Sequence, residues 1–181
     1  MIINICLMIV IILIVIVLGY YNKLVKQKNH VKQAESGIDI VLKQRFDLIP
    51  NIVECVKGYS KYESETLEDL VEARTSYNKK DGLDIKQAEI INDKVNRLLA
   101  VAESYPDLKS NEQYLILQNR LSQIEDKLQY ARSIYNSAVT KYNTSIETIP
   151  CNIVAKIFVF EKYELFKIED STRENINVSV N

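Results

Sequence analysis

"YLILQNRLSQIEDKLQYARSIYNSAVTKYNTS", residues 114–145, decides the fold. Within it Tyr114, Leu117, Leu121, Ile124, Leu128, Ala131, Tyr135, Ala138, Tyr142 and Ser145 follow one another at alternating steps of three and four. At 3.6 residues per turn those positions form one stripe along a helix, and a stripe kept up for more than four heptads calls for helical neighbours. The stretch also places Tyr-Asn twice, at 135–136 and again at 142–143. Both tyrosines lie on the stripe, where a large ring is buried and its hydroxyl needs a partner. Asn136 and Asn143 flank the stripe and are placed to supply that partner or to cap a neighbour. The stretch reads as core.

Upstream the same periodicity continues almost without a break. Val31, Ala34, Ile38, Val41, Leu42, Ile49, Val53 and Val56, then Leu67, Leu70 and Val71, recur at helical spacing. Pro50 interrupts this run, because proline removes a helical hydrogen bond and clashes with the preceding turn. Two outcomes stay open: a kink, or a new helix capped by Asp47 whose first turn tolerates Pro50. "KKDGLD", residues 79–84, reads as a turn. A further run over 84–104 carries Ile91, Val95, Leu98 and Leu99 on one face, and "SYPDLKSN", 104–111, ends or bends it at Pro106. "ARTSYN", 73–78, echoes "ARSIYN", 131–136, at four of six positions, which reads as two helix ends under similar packing demands. Downstream, "IPCNIVAKIFVFEKYELF", 149–166, is apolar and aromatic, with Ile153, Ile157 and Phe160 at helical spacing. Residues 169–181 are polar and Asn-rich, a composition that predicts disorder.

The N-terminus is of a different kind. "IINICLMIVIILIVIVL", residues 2–18, carries no charge, and Asn4 is its one polar side chain. As a helix it spans about 25 Å, close to the hydrocarbon thickness of a bilayer. Tyr20 and Tyr21 then stand where an interfacial aromatic belt sits. A cleaved signal would carry a basic start and a small-residue cleavage site, and neither is present, so the segment reads as a permanent anchor. Lys23, Lys26, Lys28 and Lys32 follow the span before the first acid, Glu35, and no Lys or Arg precedes it. The positive-inside rule then places the short N-terminus outside and the long C-terminal part in the cytoplasm.

Composition narrows the rest. The 181 residues are 47% hydrophobic and 26% charged, and with 4 Gly and 3 Pro the loops must be few and the helices long. A net charge of −1 gives no reason to expect nucleic acid. The lone histidine, His30, leaves no acid–base or di-iron constellation, and there is no CxxC and no glycine-rich phosphate cradle. Cys55 and Cys151 read as small core residues, and two scattered cysteines suit a reducing compartment without demanding one. The acids Asp39, Glu54, Glu63, Glu72, Glu103, Asp107 and Glu125 stand at helical spacing beside Lys or Arg, as on solvated faces. Arg74 and Arg132 read as structural ion-pair partners. No cofactor and no metal is expected.

Several segments together resemble the LemA family of bacterial membrane-anchored helical proteins, which also takes in MamQ-type magnetosome proteins. They are "YNKLV" (21–25), "LKQRFDLIPNIV" (42–53), "VKGYSKYE" (56–63), "EAR" (72–74), "ESYPDLKSN" (103–111) and "ARSIYNSAVTKYN" (131–143). The resemblance implies a single N-terminal span, a small external N-terminus and an antiparallel helical bundle, and it implies no established activity. Some relatives carry a lipoprotein cysteine just before the YN motif; Gly19-Tyr20 stands there in this chain, which argues against lipidation. The extreme tail shows no pattern of the family.

The expected architecture is all-α: an anchor over 1–21, an elongated antiparallel bundle over 22–148, an amphipathic segment over 149–166 and a disordered tail over 167–181. The bundle has four helices, out, back, out and back, if Pro50 breaks the first; otherwise it is one long kinked hairpin turning near Gly82. Both arrangements bring "FDLIPN" (46–51) and "YPDLKSN" (105–111) together and return 149–166 to the membrane, where its aromatic face would lie in the interface. Loops held on a rigid scaffold are where binding concentrates. The expected interaction site is therefore Arg45, Phe46, Asp47, Asn51, Tyr105, Asp107, Lys109 and Asn111. The expected function is that of a non-enzymatic membrane-anchored scaffold or interaction protein. Its partners would be the lipid bilayer and other membrane-proximal proteins, with a homo-oligomer left open. The alternatives are an enzyme or enzyme regulator built around the two proline motifs, and an extracytoplasmic envelope protein of reversed topology.

Overall fold

The computed structural model describes residues 2–57, 64–78, 83–102 and 105–166. Among these residues the regular structure is entirely helical: α1 (Ile2–Phe46), α2 (Ile49–Lys57), α3 (Ser64–Asn78), α4 (Ile85–Ala102), α5 (Pro106–Lys109), α6 (Glu112–Glu147) and α7 (Cys151–Ile157). The apolar span and the first bundle helix are one unbroken α1 of 45 residues, about 67 Å long at 1.5 Å per residue. The large side chains of residues 2–16 are exposed, as a lipid-facing helix requires, and burial begins in earnest at Leu24.

The predicted stripe of α6 is its buried face. Tyr114, Leu117, Leu121, Leu128, Tyr135, Tyr142 and Ser145 are buried and Ile124, Ala131 and Ala138 half-buried, with Val139 the one buried position off the stripe. They meet Val31, Ile38, Leu42 and Phe46 of α1, Ile52 and Val56 of α2, and Ile91, Val95 and Leu98 of α4 in one continuous core. Leu99 stays at the margin of that core, half-buried.

Pro50 ends α1 without reversing the chain. The helix stops at Phe46 and α2 begins at Ile49, so Pro50 falls in the first turn of the new helix, where its missing N–H costs nothing. Arg45 faces Glu125 of α6, and beyond the break Asn51, Glu54 and Cys55 face the stretch from Asn111 to Arg120. Advance along α1 and α2 is thus matched by retreat along α6, so α2 prolongs the outward path. Helix α3 returns, since Arg74 pairs with Asp47 while Tyr77, farther on, reaches back to Asp39. Helix α4 runs outward again, with Asn96 beside Arg45. The order out, back, out, back holds, but the outward limb continues through α2 and the returning limb is α3, so the first reversal comes after Lys57 and not at Pro50. The turn read at 79–82 lies outside the described residues, as does the tail from 167 onward.

The C-terminal segment departs most from its reading. Helical periodicity through Phe160 is not realised: α7 ends at Ile157 and residues 160–166 have left the helix. The stop is a Schellman arrangement, in which the Phe160 N–H reaches the Ala155 carbonyl at 2.9 Å and the Val159 N–H reaches Lys156 at 3.4 Å. Val159 holds the left-handed position with φ 54°, a place that favours glycine.

Candidate functional site

Two places in the fold gather functional groups, and the first is the far end of the bundle. Pro106 opens α5, whose Leu108 is buried in the core while Asp107 and Lys109 stay exposed. Asn111 then caps α6, its side-chain oxygen accepting the N–H groups of Gln113 at 2.9 Å and Tyr114 at 3.2 Å. That cap explains why an asparagine follows the proline turn. Across from it, Asn51 stands in the first turns of α2, and Asn51, Glu54, Cys55, Asn111, Gln113 and Arg120 line one groove of about 460 Å³.

The other expected site residues lie elsewhere. Tyr105 is half-buried against the core, and Phe46 is fully buried with its ring edge-on to Tyr77 at 5.0 Å. Asp47 pairs with Arg74 at 2.6 Å on the surface. Arg45 is 8% exposed and sits inside the bundle. Its guanidinium donates to Glu125 of α6 and, at 3.2 Å, to the Asn96 side-chain oxygen of α4, so one arginine of α1 ties three helices. Burial pulls the Arg45 pKa down and Glu125 opposes that, which marks a structural ion pair buried on the arginine side and half-buried at Glu125. Of the eight expected residues, Asn51 and Asn111 share the groove, and Asp107 and Lys109 stand on the surface one turn from it.

The second place answers why Tyr-Asn occurs twice at an interval of seven. The Tyr142 hydroxyl donates to the Glu161 carbonyl at 2.9 Å. The Asn143 amide donates to the Tyr163 carbonyl at 2.8 Å and accepts the Tyr163 N–H at 3.1 Å. One heptad back, the Tyr135 hydroxyl donates to the Glu164 carbonyl at 3.1 Å. Asn136 donates to the Phe166 carbonyl at 3.0 Å and accepts the Phe166 N–H at 2.9 Å. Each asparagine therefore pairs with one residue's main chain as a neighbouring β-strand would. The rings follow the same register, Tyr142 on Tyr163 at 5.4 Å and Tyr135 on Phe166 at 5.1 Å between centroids. The tyrosines belong to the core and, with their asparagines, clamp an extended segment antiparallel to α6. Sequence reading saw the core and missed the clamp; three aromatics at steps of three, Phe160, Tyr163 and Phe166, were the available signal.

Reactive chemistry is not concentrated in either place. Cys55 is half-buried and its thiol is pushed up by burial, with Glu54 adding to the effect, the opposite of an activated thiolate. Cys6, Cys55 and Cys151 are free. Among the described residues no three His, Cys, Asp or Glu side chains stand where they would hold a metal. The echo of "ARSIYN" in "ARTSYN" does not mark two helix ends, because 73–78 closes α3 whereas 131–136 lies in the middle of α6; Arg74 meets Asp47, and Arg132 lies over the Phe166 ring at 5.9 Å.

Comparison with known sequences gives this architecture its relatives. The sequence model of the LemA family matches residues 34–180, from inside α1 through the proline corners and the clamp. The chain belongs to the LemA family. Protein LemA of Metamycoplasma hominis is 26% identical over 164 residues, 89% of this chain and 75% of that protein. Magnetosome protein MamQ 2 of Paramagnetospirillum magneticum is 24% identical over 180 residues, 81% of this chain and 64% of the MamQ chain. Against MamQ of Magnetospirillum gryphiswaldense the identity is 31% over 72 residues, 40% of this chain and 26% of that one. The chain thus spans somewhat under two thirds of MamQ 2. The LemA match also corrects one expectation, because it runs to residue 180 and so includes the tail in the family's pattern. The quoted "YNKLV" (21–25) lies ahead of the matched range.

Proposed function

We propose that this LemA-type protein is a non-enzymatic interaction module that presents a docking groove at a fixed height above the membrane. The observation that carries the reading is the convergence of the two proline corners, Asn51 and Asn111, on one groove. That groove lies about 45 Å of helix beyond Tyr21, at 1.5 Å per residue. α1 runs unbroken out of the span as far as Phe46, and only the two-residue step at Asp47 and Leu48 separates it from α2, which carries Asn51 into the groove. Its polar rim, with Glu54, Gln113 and Arg120 around Ile116 and Leu117, suits a protein surface better than a small substrate. The lysines that follow the span support a cytoplasmic position for the bundle, and membrane or membrane-proximal proteins are the partners this geometry serves.

Site-specific photocrosslinking in intact cells tests it. A photoreactive residue at Gln113 or at Glu54 should capture the same partner, and Arg120→Glu should abolish that capture while leaving the protein folded. Equal capture from Tyr130, an exposed residue midway along α6, would remove the groove from the proposal.

A further inference from the structure

α7 buries one face and leaves the other bare. Its inner face, Cys151, Val154 and Ala155, packs on Leu24, with Val17, Tyr20, Tyr21 and Phe160 around it. The aromatics expected at the membrane are turned inward instead, Phe160, Tyr163 and Phe166 being half-buried against the bundle. What faces out is aliphatic: Ile149 is 82% exposed, Ile153 57%, Ile157 63% and Val159 76%, with Phe158 at 46% beside them. Ile153 and Ile157 stand four apart on one side of α7, and Ile149 is exposed just ahead of its first turn.

We infer that α7 and the turn after it form a second membrane contact. The apolar ridge Ile149–Ile153–Ile157–Phe158–Val159 rests in the lipid–water interface of the leaflet from which α1 emerges. The inference rests on the reading of residues 2–18 as a membrane anchor. Height is the first argument, because the helix is packed against Val17, Tyr20 and Tyr21, the end of the span itself. The Phe158 ring lies 4.7 Å from the Tyr21 ring, so the ridge continues the aromatic belt. Strain is the second argument. Val159 is a β-branched residue in the left-handed region, exposed and fastened by no core contact, where glycine would relieve the backbone. A lipid surface gives that valine something to cover it. Charge is the third, since Lys23 and Lys26, in the turns of α1 after the span, and Lys156, on α7 itself, are exposed at the level where headgroups would lie.

The test uses the full chain in vesicles of phosphatidylcholine and phosphatidylglycerol. Cys55 and Cys151 are replaced by alanine, and one environment-sensitive fluorophore is carried at Cys6, at Ile153→Cys or at Gln113→Cys, with Cys6 also replaced in the last two. Lipids spin-labelled near the headgroup should quench the probe at position 153 several-fold more than the probe at 113. Ile149→Ser with Ile157→Ser, at exposed positions, should bring the position-153 signal down to the level of 113 with helical circular dichroism unchanged. A quenched probe at Cys6 beside an unquenched one at 153 would overturn the second contact alone. Absence of quenching at both would overturn the anchor reading with it. A shielded, unquenched probe at 153 whose shielding rises with protein density would assign the ridge to a second copy and overturn the inference.

Discussion

Asn143 shows how much one side chain decides. Its amide, like that of Asn136 one heptad back, offers both a donor and an acceptor to the main chain of the segment it holds. Asn143→Ala removes both at once and leaves the Tyr163 main chain to water or to nothing. The expected cost is about 1–3 kcal/mol, and hydrogen exchange should show it first at the Tyr163 amide, while the Val95 and Leu128 amides keep their protection. Uniform loss of protection across α4 and α6 would place Asn143 in the global fold and not in the clamp. The α6 stripe makes a sharper contrast between neighbours. Leu121 is 7% exposed and Ser122 faces solvent. Leu121→Ala should lose about 2–5 kcal/mol, and Ser122→Ala less than about 0.5 kcal/mol, in denaturant titrations of the full chain in detergent. Similar losses at both would sink the register.

At the scale of elements, α6 and the C-terminal segment are matched by their rises. Seven helical residues advance about 10.5 Å, and three residues of extended chain advance about 9–10 Å. A heptad on α6 therefore keeps step with every third residue of 160–166, and the inward set Phe160, Tyr163, Phe166 has that period. Three residues per turn is the periodicity of a polyproline-type strand, where a β-strand would turn alternate residues in. The tyrosines of this layer also link stability to pH. Burial raises the phenol pKa of Tyr135, Tyr142 and Tyr163, and raises that of Tyr77 with added help from its hydrogen bond to Asp39. The folded chain therefore holds the neutral phenols more tightly than the unfolded chain does. Their contribution is intact below about pH 10, the ordinary tyrosine value, and is lost as pH rises through and beyond it. Unfolding titrations should show stability falling above that pH, and Tyr77→Phe with Tyr142→Phe should flatten the slope. An unchanged slope would show that other groups set it.

The whole molecule is a long rod whose anchor and first bundle helix are the same α1. If the lysines after the span hold the bundle in the cytoplasm, as proposed, a reporter active only in the cytoplasm, fused after Asn181, should be active. Digestion of the bundle by protease added to intact cells would reverse the assignment. Much of this rod was legible in the sequence. The α6 stripe, the α4 face of Ile91, Val95 and Leu98, and the span each repeat one local rule over many residues, and a repeated rule survives any single exception. The candidate site was legible in part. Two proline-asparagine motifs pointed to one end of the bundle, but nothing local said that Arg45 and Phe46 turn inward while Asn51 and Asn111 share a groove.

What the sequence by itself determined is therefore the all-helical class, the buried faces of α4 and α6 and the apolar span, because periodicity and hydropathy are properties of neighbouring residues. Only the tertiary structure decided three further matters: where the chain first reverses, what Arg45 pairs with, and what residues 158–166 do. Pro50 permits both a kink and a turn, and the choice belongs to α6, against which α2 keeps its buried face. Arg45 lies 51 residues from Asn96 and 80 from Glu125, separations that no local pattern spans. The Phe160–Phe166 segment could have continued α7 on its own periodicity. Its backbone is extended because the tyrosines and asparagines of a helix nearly twenty residues and more away offer its N–H and C=O groups partners that an isolated helix end lacks.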